Sequence, residues 1–176
     1  DLVHAHYGLS GLVARMQLRY PVIISFCGDD LYGHSNRRGR PTLTSLFWVW
    51  CHKGLSRWTE GVIVKSEAMK KLLPCKHATV IPNGIDFDVF MPLDQSDCRD
   101  RLGLSREKIY ILFPYDPSRP RKNYREVEQA ASILRQESGL PVEILVVNGK
   151  QNELLTFYMN AADVLVLASF LEGSPN

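Results

Sequence analysis

Residues 108–147 read KIYILFPYDPSRPRKNYREVEQAASILRQESGLPVEILVV, and the fold class follows from this stretch. Ile109 to Phe113 and Val142 to Val147 are near-continuous apolar runs rich in Val and Ile, the pattern of strands covered on both faces. Between them Val127, Ala130, Ala131 and Leu134 recur at helical spacing, which predicts a helix over Tyr124 to Gln136. Asn123 followed by Glu126 makes a start like a capping box. Buried strands alternating with helices belong to an α/β fold with a parallel sheet.

The same alternation extends in both directions. Leu2 to Ala5, Val22 to Phe26, Val62 to Val64, Thr79 to Ile81 and Val164 to Leu167 are further strand candidates, making seven with the two above. It breaks between Asn83 and Gly103, where Pro82-Asn83-Gly84, Pro92 and the polar run Asp94 to Asp97 read as a linker and a short helix. Residues 1–92 are therefore expected to belong to one Rossmann-like domain and residues 93–176 to a second. Each side offers three or four strands where such a sheet usually has about six, so each is expected to be part of a domain. Asp1 runs straight into a strand-like segment, and the true N-terminus is expected to lie upstream.

Composition narrows the function classes. No apolar run approaches the roughly 18 residues of a membrane-spanning helix. The four cysteines, Cys27, Cys51, Cys75 and Cys98, form no Cys-x-x-Cys pair, which argues against a zinc knuckle or a dithiol redox site and fits a reducing cytoplasm. The net charge of +2 divides unevenly. Residues 1–92 hold 11 Lys/Arg against 7 Asp/Glu, and residues 93–176 hold 10 against 12. That imbalance is too mild for a nucleic-acid footprint, but a basic first half suits an anionic partner such as a membrane surface or a phosphorylated acceptor.

Two motifs gain meaning together. Ile81-Pro82-Asn83-Gly84-Ile85-Asp86, with Phe90 and Pro92 after it, is a strand ending in a turn. Ala162-Asp163-Val164-Leu165-Val166-Leu167-Ala168-Ser169 is a strand leading into Glu172-Gly173-Ser174-Pro175-Asn176. With DLVHAHYGLSG at the start, PVIISFCGDDLYG after it and RKNY in the second half, the set resembles glycosyltransferase family 4, the retaining GT-B enzymes, over nearly the whole chain. The resemblance implies two Rossmann-like domains facing across a cleft, the sugar nucleotide mainly on the second. It also implies transfer of a sugar from a nucleoside-diphosphate donor to an acceptor hydroxyl, with retention at the anomeric carbon and no metal or other cofactor. The nucleotide sugar is then a substrate, and the acceptor a sugar or a lipid-linked sugar.

On this reading Glu172 holds the donor sugar as the first of a family pair of glutamates seven residues apart; only the first is present. A carboxylate at a strand's C-terminal end accepts sugar hydroxyls, while Gly173 and Ser174 offer backbone N–H groups to phosphate at the next helix N-terminus. Arg119, Arg121 and Lys122 form a basic loop, of which Lys122 and Arg119 are expected to neutralise the departing diphosphate. The family's usual Gly-Arg pair is replaced by Tyr115-Asp116. By resemblance His6, Gly8 and Asp29 face the acceptor, with Asp29 counted beside Glu172 and Lys122 among the catalytic candidates. His4 and His6 share a strand face at a spacing compatible with metal binding, but no further ligands are evident, and His4 reads as a hydrogen-bonded histidine. Cys27 stands where many relatives carry a histidine, and no adjacent base marks it as a nucleophile.

The segment from Asn36 to Trp58 combines Arg37, Arg38, Arg40, Lys53 and Arg57 with Phe47, Trp48, Trp50 and Trp58. Basic and aromatic residues together suit either a helix at a membrane interface, implying peripheral contact at the inner membrane face, or an ordinary amphipathic core helix. Two other enzyme readings are weaker: Asp86-Phe87-Asp88 as an Asp-x-Asp metal site, and a dinucleotide oxidoreductase, for which Gly-x-Gly-x-x-Gly is missing. A non-catalytic nucleotide-sugar-binding or interaction module is the alternative from a different class. Residues 1–176 alone are expected to be inactive, with incomplete sheets and exposed strand edges.

Overall fold

Val22 and Ile24, like Val62 and Val64, are almost wholly buried, and the two strands they belong to lie side by side at the centre of a four-stranded sheet. The computed structural model describes residues 1–33 and 42–170, and these divide into two compact units, 1–84 and 85–170. Every strand expected from the sequence is present.

The first unit runs β1 (Val3–His6), α1 (Gly8–Arg15), β2 (Val22–Ser25), the single turn α2 (Asp29–Tyr32), α3 (Leu43–Leu55), β3 (Gly61–Val64), α4 (Glu67–Lys71) and β4 (Ala78–Val80). The sheet order is β1-β2-β3-β4, all parallel. Parallel neighbours end on the same side. The turns after β1, β2 and β3, carrying Tyr7, Cys27-Gly28 and Lys65-Ser66, therefore share one edge of the sheet, where ligands bind in such folds. Thr42 caps α3 by accepting from Ser45 N (3.3 Å), and Ser66 caps α4 by accepting from Met69 N (3.3 Å).

Coverage on both faces holds for β2 but not for β1, whose pattern alternates: Ala5 is buried, whereas His4 and His6 are exposed on one face with ring centroids 4.5 Å apart. Among the described residues β1 is an edge strand, and its His4–His6 face is left exposed. His4 Nε2 meets Ser25 Oγ at 2.8 Å on the neighbouring strand, so its hydrogen-bonded role stands.

The second unit runs α5 (Gln95–Leu102), β5 (Ile109–Phe113), α6 (Tyr124–Ser138), β6 (Val142–Val146), α7 (Asn152–Ala161) and β7 (Val164–Leu165), with parallel strand order β6-β5-β7. Ile111 and Phe113 of the central strand pack with Val127, Ala131 and Val142. The capping box expected at Asn123 is not formed. Asn123 occupies the N-cap position with φ 53° and ψ 44°, and its side chain makes no capping bond. A 3-10 turn over Pro120–Lys122 feeds α6 directly, and Asn is there because it tolerates the left-handed conformation.

Asp163 explains part of the motif that precedes β7. Its Oδ2 accepts from Tyr110 N (2.7 Å) and from a terminal nitrogen of buried Arg99 (2.8 Å), whose Nε donates to Ala161 O (2.9 Å). One carboxylate thus ties α5, β5 and the end of α7 together.

Candidate functional site

The sheet edge of the first unit is organised by a residue the sequence reading passed over. Asp30, 1% exposed, accepts from Cys27 N (3.0 Å) and Gly28 N (2.8 Å) of the turn after β2, and from Gly8 N (3.2 Å) of the turn after β1. Peptide N–H groups with no helical or ladder partner need an acceptor, and a single carboxylate supplies it for two turns at once. Asp29 was the residue singled out; its neighbour Asp30 holds the scaffold.

Beside these turns lies a cavity of about 340 Å³ lined by Tyr7, Leu9, Asp29, Thr42, Thr44, Ser45, Trp48 and His52. Its wall combines aromatic surface with hydroxyls and a carboxylate, the mixture that a polyhydroxylated ring with one apolar face requires. Tyr7 stands at φ 78° and ψ 144°, a region nearly confined to glycine, and backbone strain of this kind concentrates at binding sites. His52, from the inward side of α3, is 2% exposed. It stacks with Trp48 (centroids 6.2 Å apart, 27° between planes) and meets Tyr7 edge-on. A side chain at Gly8 would come within 2.7 Å of His52 Nδ1, so glycine there is what admits the ring.

The residues expected to face the acceptor divide accordingly. Asp29 lines the cavity, Gly8 is buried against His52, and His6 is exposed at the end of β1. Cys27 is exposed, with its thiol held above the usual value by desolvation first and by the Asp30 carboxylate second. A thiol shifted in that direction is a poor nucleophile at neutral pH.

In the second unit the basic loop after β5 is ordered around Lys122. Lys122 is 6% exposed, and its Nζ lies 3.4 Å from the centroid of the Tyr115 ring, a cation–π contact. Tyr115 packs edge-on to Phe113 of β5. Asp116 closes a local turn by accepting from Ser118 N (2.9 Å), and the Ser118 hydrogen bonds hold its carboxyl below the usual range. Arg119 is exposed on the same loop. Glu172, Gly173 and Ser174, and with them Arg37, Arg38 and Arg40, lie outside the described residues.

Among the described residues no group of three or more His, Cys, Asp or Glu side chains is gathered for a metal ion. The Asp86 carboxylate accepts from Asp88 N at 3.0 Å, forming a turn where the Asp-x-Asp reading would place a metal ligand.

The model of Glycosyltransferase Family 4 matches residues 1–89. The chain belongs to this family. It is 24% identical over 212 aligned positions to the UDP-Gal:alpha-D-GlcNAc-diphosphoundecaprenol alpha-1,3-galactosyltransferase of Escherichia coli, covering 99% of this chain and 53% of that protein. Among solved structures, sucrose-phosphate synthase from Thermosynechococcus elongatus superposes with a TM-score of 0.68 at 20% identity, over 99% of this chain and 51% of the other. The catalytic domain of starch synthase IV from Arabidopsis thaliana, bound to ADP and acarbose, gives 0.55 at 14% identity, over 100% and 53%. The family 4 chain thus spans about half the length of these relatives, and its α/β fold with parallel sheets is of the expected GT-B type.

The sequence reading missed Asp30, Tyr7 and His52. Asp30 was within the quoted run, but nothing distinguished the inward carboxylate from its neighbour. A signal for His52 existed: Ser45, Val49, His52 and Leu55 fall on one helical face, and a histidine there interrupts an inward apolar stripe.

Proposed function

We propose that the protein of which this chain forms part transfers a sugar from a nucleoside-diphosphate donor to an acceptor hydroxyl, with retention at the anomeric carbon and without a metal ion. The bond from the anomeric carbon to the phosphate oxygen breaks as the acceptor oxygen bonds to that carbon on the same face. The acceptor's proton passes to the departing phosphate, so no separate carboxylate base is needed. Lys122 and Arg119 neutralise the diphosphate, Glu172 holds the donor sugar, Gly173 and Ser174 bind through backbone N–H groups, and Asp29 positions the acceptor beside His6 and Gly8. The observation that most supports this reading is the polar and aromatic cavity at the C-terminal edge of the first parallel sheet, in a chain of family 4. Thermal melting of the full-length protein against a panel of nucleoside-diphosphate sugars tests it. One donor should raise the midpoint in proportion to its occupancy, and a flat response across the panel would contradict the reading.

A second observation favours an acceptor at a membrane. Leu43, Leu46, Phe47 and Trp50 recur at i, i+3, i+4 and i+7 on the outward side of α3, with Leu43 87% and Trp50 72% exposed. Arg15, Lys53 and Arg57 flank this ridge, and residues 2–28 and 42–59 contain no Asp or Glu. An apolar ridge with cations and no carboxylates complements an anionic lipid surface. The curated relative acts on a lipid-linked diphosphate acceptor. We assign the protein to the cytoplasmic face, consistent with four unpaired cysteines. No helix among the described residues is long and apolar enough to cross a membrane.

A further inference from the structure

The buried imidazole of His52 is more elaborate than packing requires. Nδ1 lies 2.9 Å from the Asp30 backbone carbonyl. A carbonyl oxygen only accepts, so Nδ1 carries the hydrogen, and in the neutral ring Nε2 is left with a lone pair. That Nε2 is buried and has no hydrogen-bond partner. Buried polar atoms are nearly always satisfied, and one that is not calls for an explanation. His52 also lines the cavity whose other walls are Tyr7, Asp29, Trp48 and the Thr42, Thr44 and Ser45 segment. Two further features are arranged around the ring: glycine at position 8, which leaves room for it, and the strained Tyr7 beside it.

We propose that His52 is a sugar-binding residue: its Nε2 accepts a hydrogen bond from a hydroxyl of a pyranose seated in this cavity. This deepens the transferase reading and rests on it only for naming that sugar as the acceptor. Trp48, stacked on His52 and lining the same cavity, offers an aromatic plane to the apolar face of the ring. The Asp30 carbonyl fixes the tautomer, so the lone pair stays on Nε2. His52 orients the hydroxyl oxygen and takes no proton from it.

The test uses two variants that separate the two nitrogens. In His52→Asn the side-chain amide nitrogen replaces Nδ1 and keeps a donor for the Asp30 carbonyl, while nothing replaces Nε2. In His52→Gln the amide reaches the Nε2 position instead. Both are made in full-length protein carrying Trp50→Phe and Trp58→Phe, with phenylalanine also replacing any tryptophan outside residues 1–176, so that Trp48 reports on the cavity. The probes are the methyl glycosides of glucose and N-acetylglucosamine, with glycerol as the control lacking a ring. In the parent protein at least one glycoside should change the emission saturably and glycerol should not. His52→Asn should weaken that binding by about tenfold or more, the loss expected when a buried hydrogen-bond partner is removed, whereas His52→Gln should stay within about threefold. Equal affinity in His52→Asn and the parent, or no saturable response to either glycoside in the parent, overturns the proposal. A transfer assay keeps the two readings apart. Sugar binding that depends on His52 without transfer from any donor removes the transferase reading alone, and transfer with unaltered binding in His52→Asn removes this one alone.

Discussion

Replacing Asp30 should destabilise the first unit. The carboxylate accepts backbone N–H groups from Gly8, Cys27 and Gly28 and is 1% exposed, so water does not take over when it is removed. A hydrogen bond to a charged group contributes about 1.5–3 kcal/mol, and a buried donor left unsatisfied costs about 1–3 kcal/mol. In Asp30→Asn the remaining carbonyl oxygen can keep one or two of these donors, while the amide group points its own N–H toward the rest. A loss of about 2–4 kcal/mol follows, against a total stability on the order of 5–15 kcal/mol. Trp48, Trp50 and Trp58 all lie in the first unit, so their fluorescence in urea, with any tryptophan outside residues 1–176 replaced by phenylalanine, reports on that unit. With a slope of about 2 kcal/mol per molar, the midpoint should fall by about 1–2 M at unchanged slope. A shift below about 0.25 M would refute the reasoning, since it would mean that the two turns hold their shape without the carboxylate.

Asp163→Ala removes the acceptor shared by Arg99 and Tyr110 and should destabilise the second unit by about 2–3 kcal/mol, read by hydrogen exchange at the β5 amides. Lys122→Ala in the full-length protein should lower kcat/KM for the proposed sugar transfer by roughly a hundredfold, about 2–3 kcal/mol of transition-state stabilisation; turnover at the parent level would refute its assignment to the diphosphate. Because Cys27 is shifted upward, iodoacetamide should modify it at pH 8 more slowly than a free cysteine, as measured by peptide mass spectrometry. Arg57→Glu combined with Trp50→Glu should abolish co-sedimentation with vesicles rich in phosphatidylglycerol, and binding indifferent to lipid charge or to these changes would exclude the lipid surface as the partner of α3.

The seven strands and α6 were legible because each is a local pattern. An apolar run or a 3.6-residue period marks a strand or helix without reference to its neighbours, even in β7, where Val164 and Leu165 are exposed. The N-cap of α6 was misread because residues 120–122 form a 3-10 turn that sets Asn123 in the left-handed region before its side chain can cap. That the shared His4 and His6 face of β1 is exposed was not legible, since it depends on what packs against that face. The site was legible in part. Lys122 ends the 3-10 turn that follows β5 and Asp29 opens α2 after β2, in the segments beyond the strand ends that the motifs mark. The roles of Asp30 and His52 depend on contacts across 22 residues, Asp30 to Gly8 and His52 to Asp30, which no spacing rule encodes.

The anomeric configuration of the product, followed by proton NMR as the full-length protein consumes its nucleoside-diphosphate sugar in the presence of EDTA, tests the account most directly. The expected spectrum shows the donor's configuration carried into the new glycosidic bond at an undiminished rate, with one nucleoside diphosphate released per bond formed. An inverted product, or transfer that stops when EDTA is added, would contradict it.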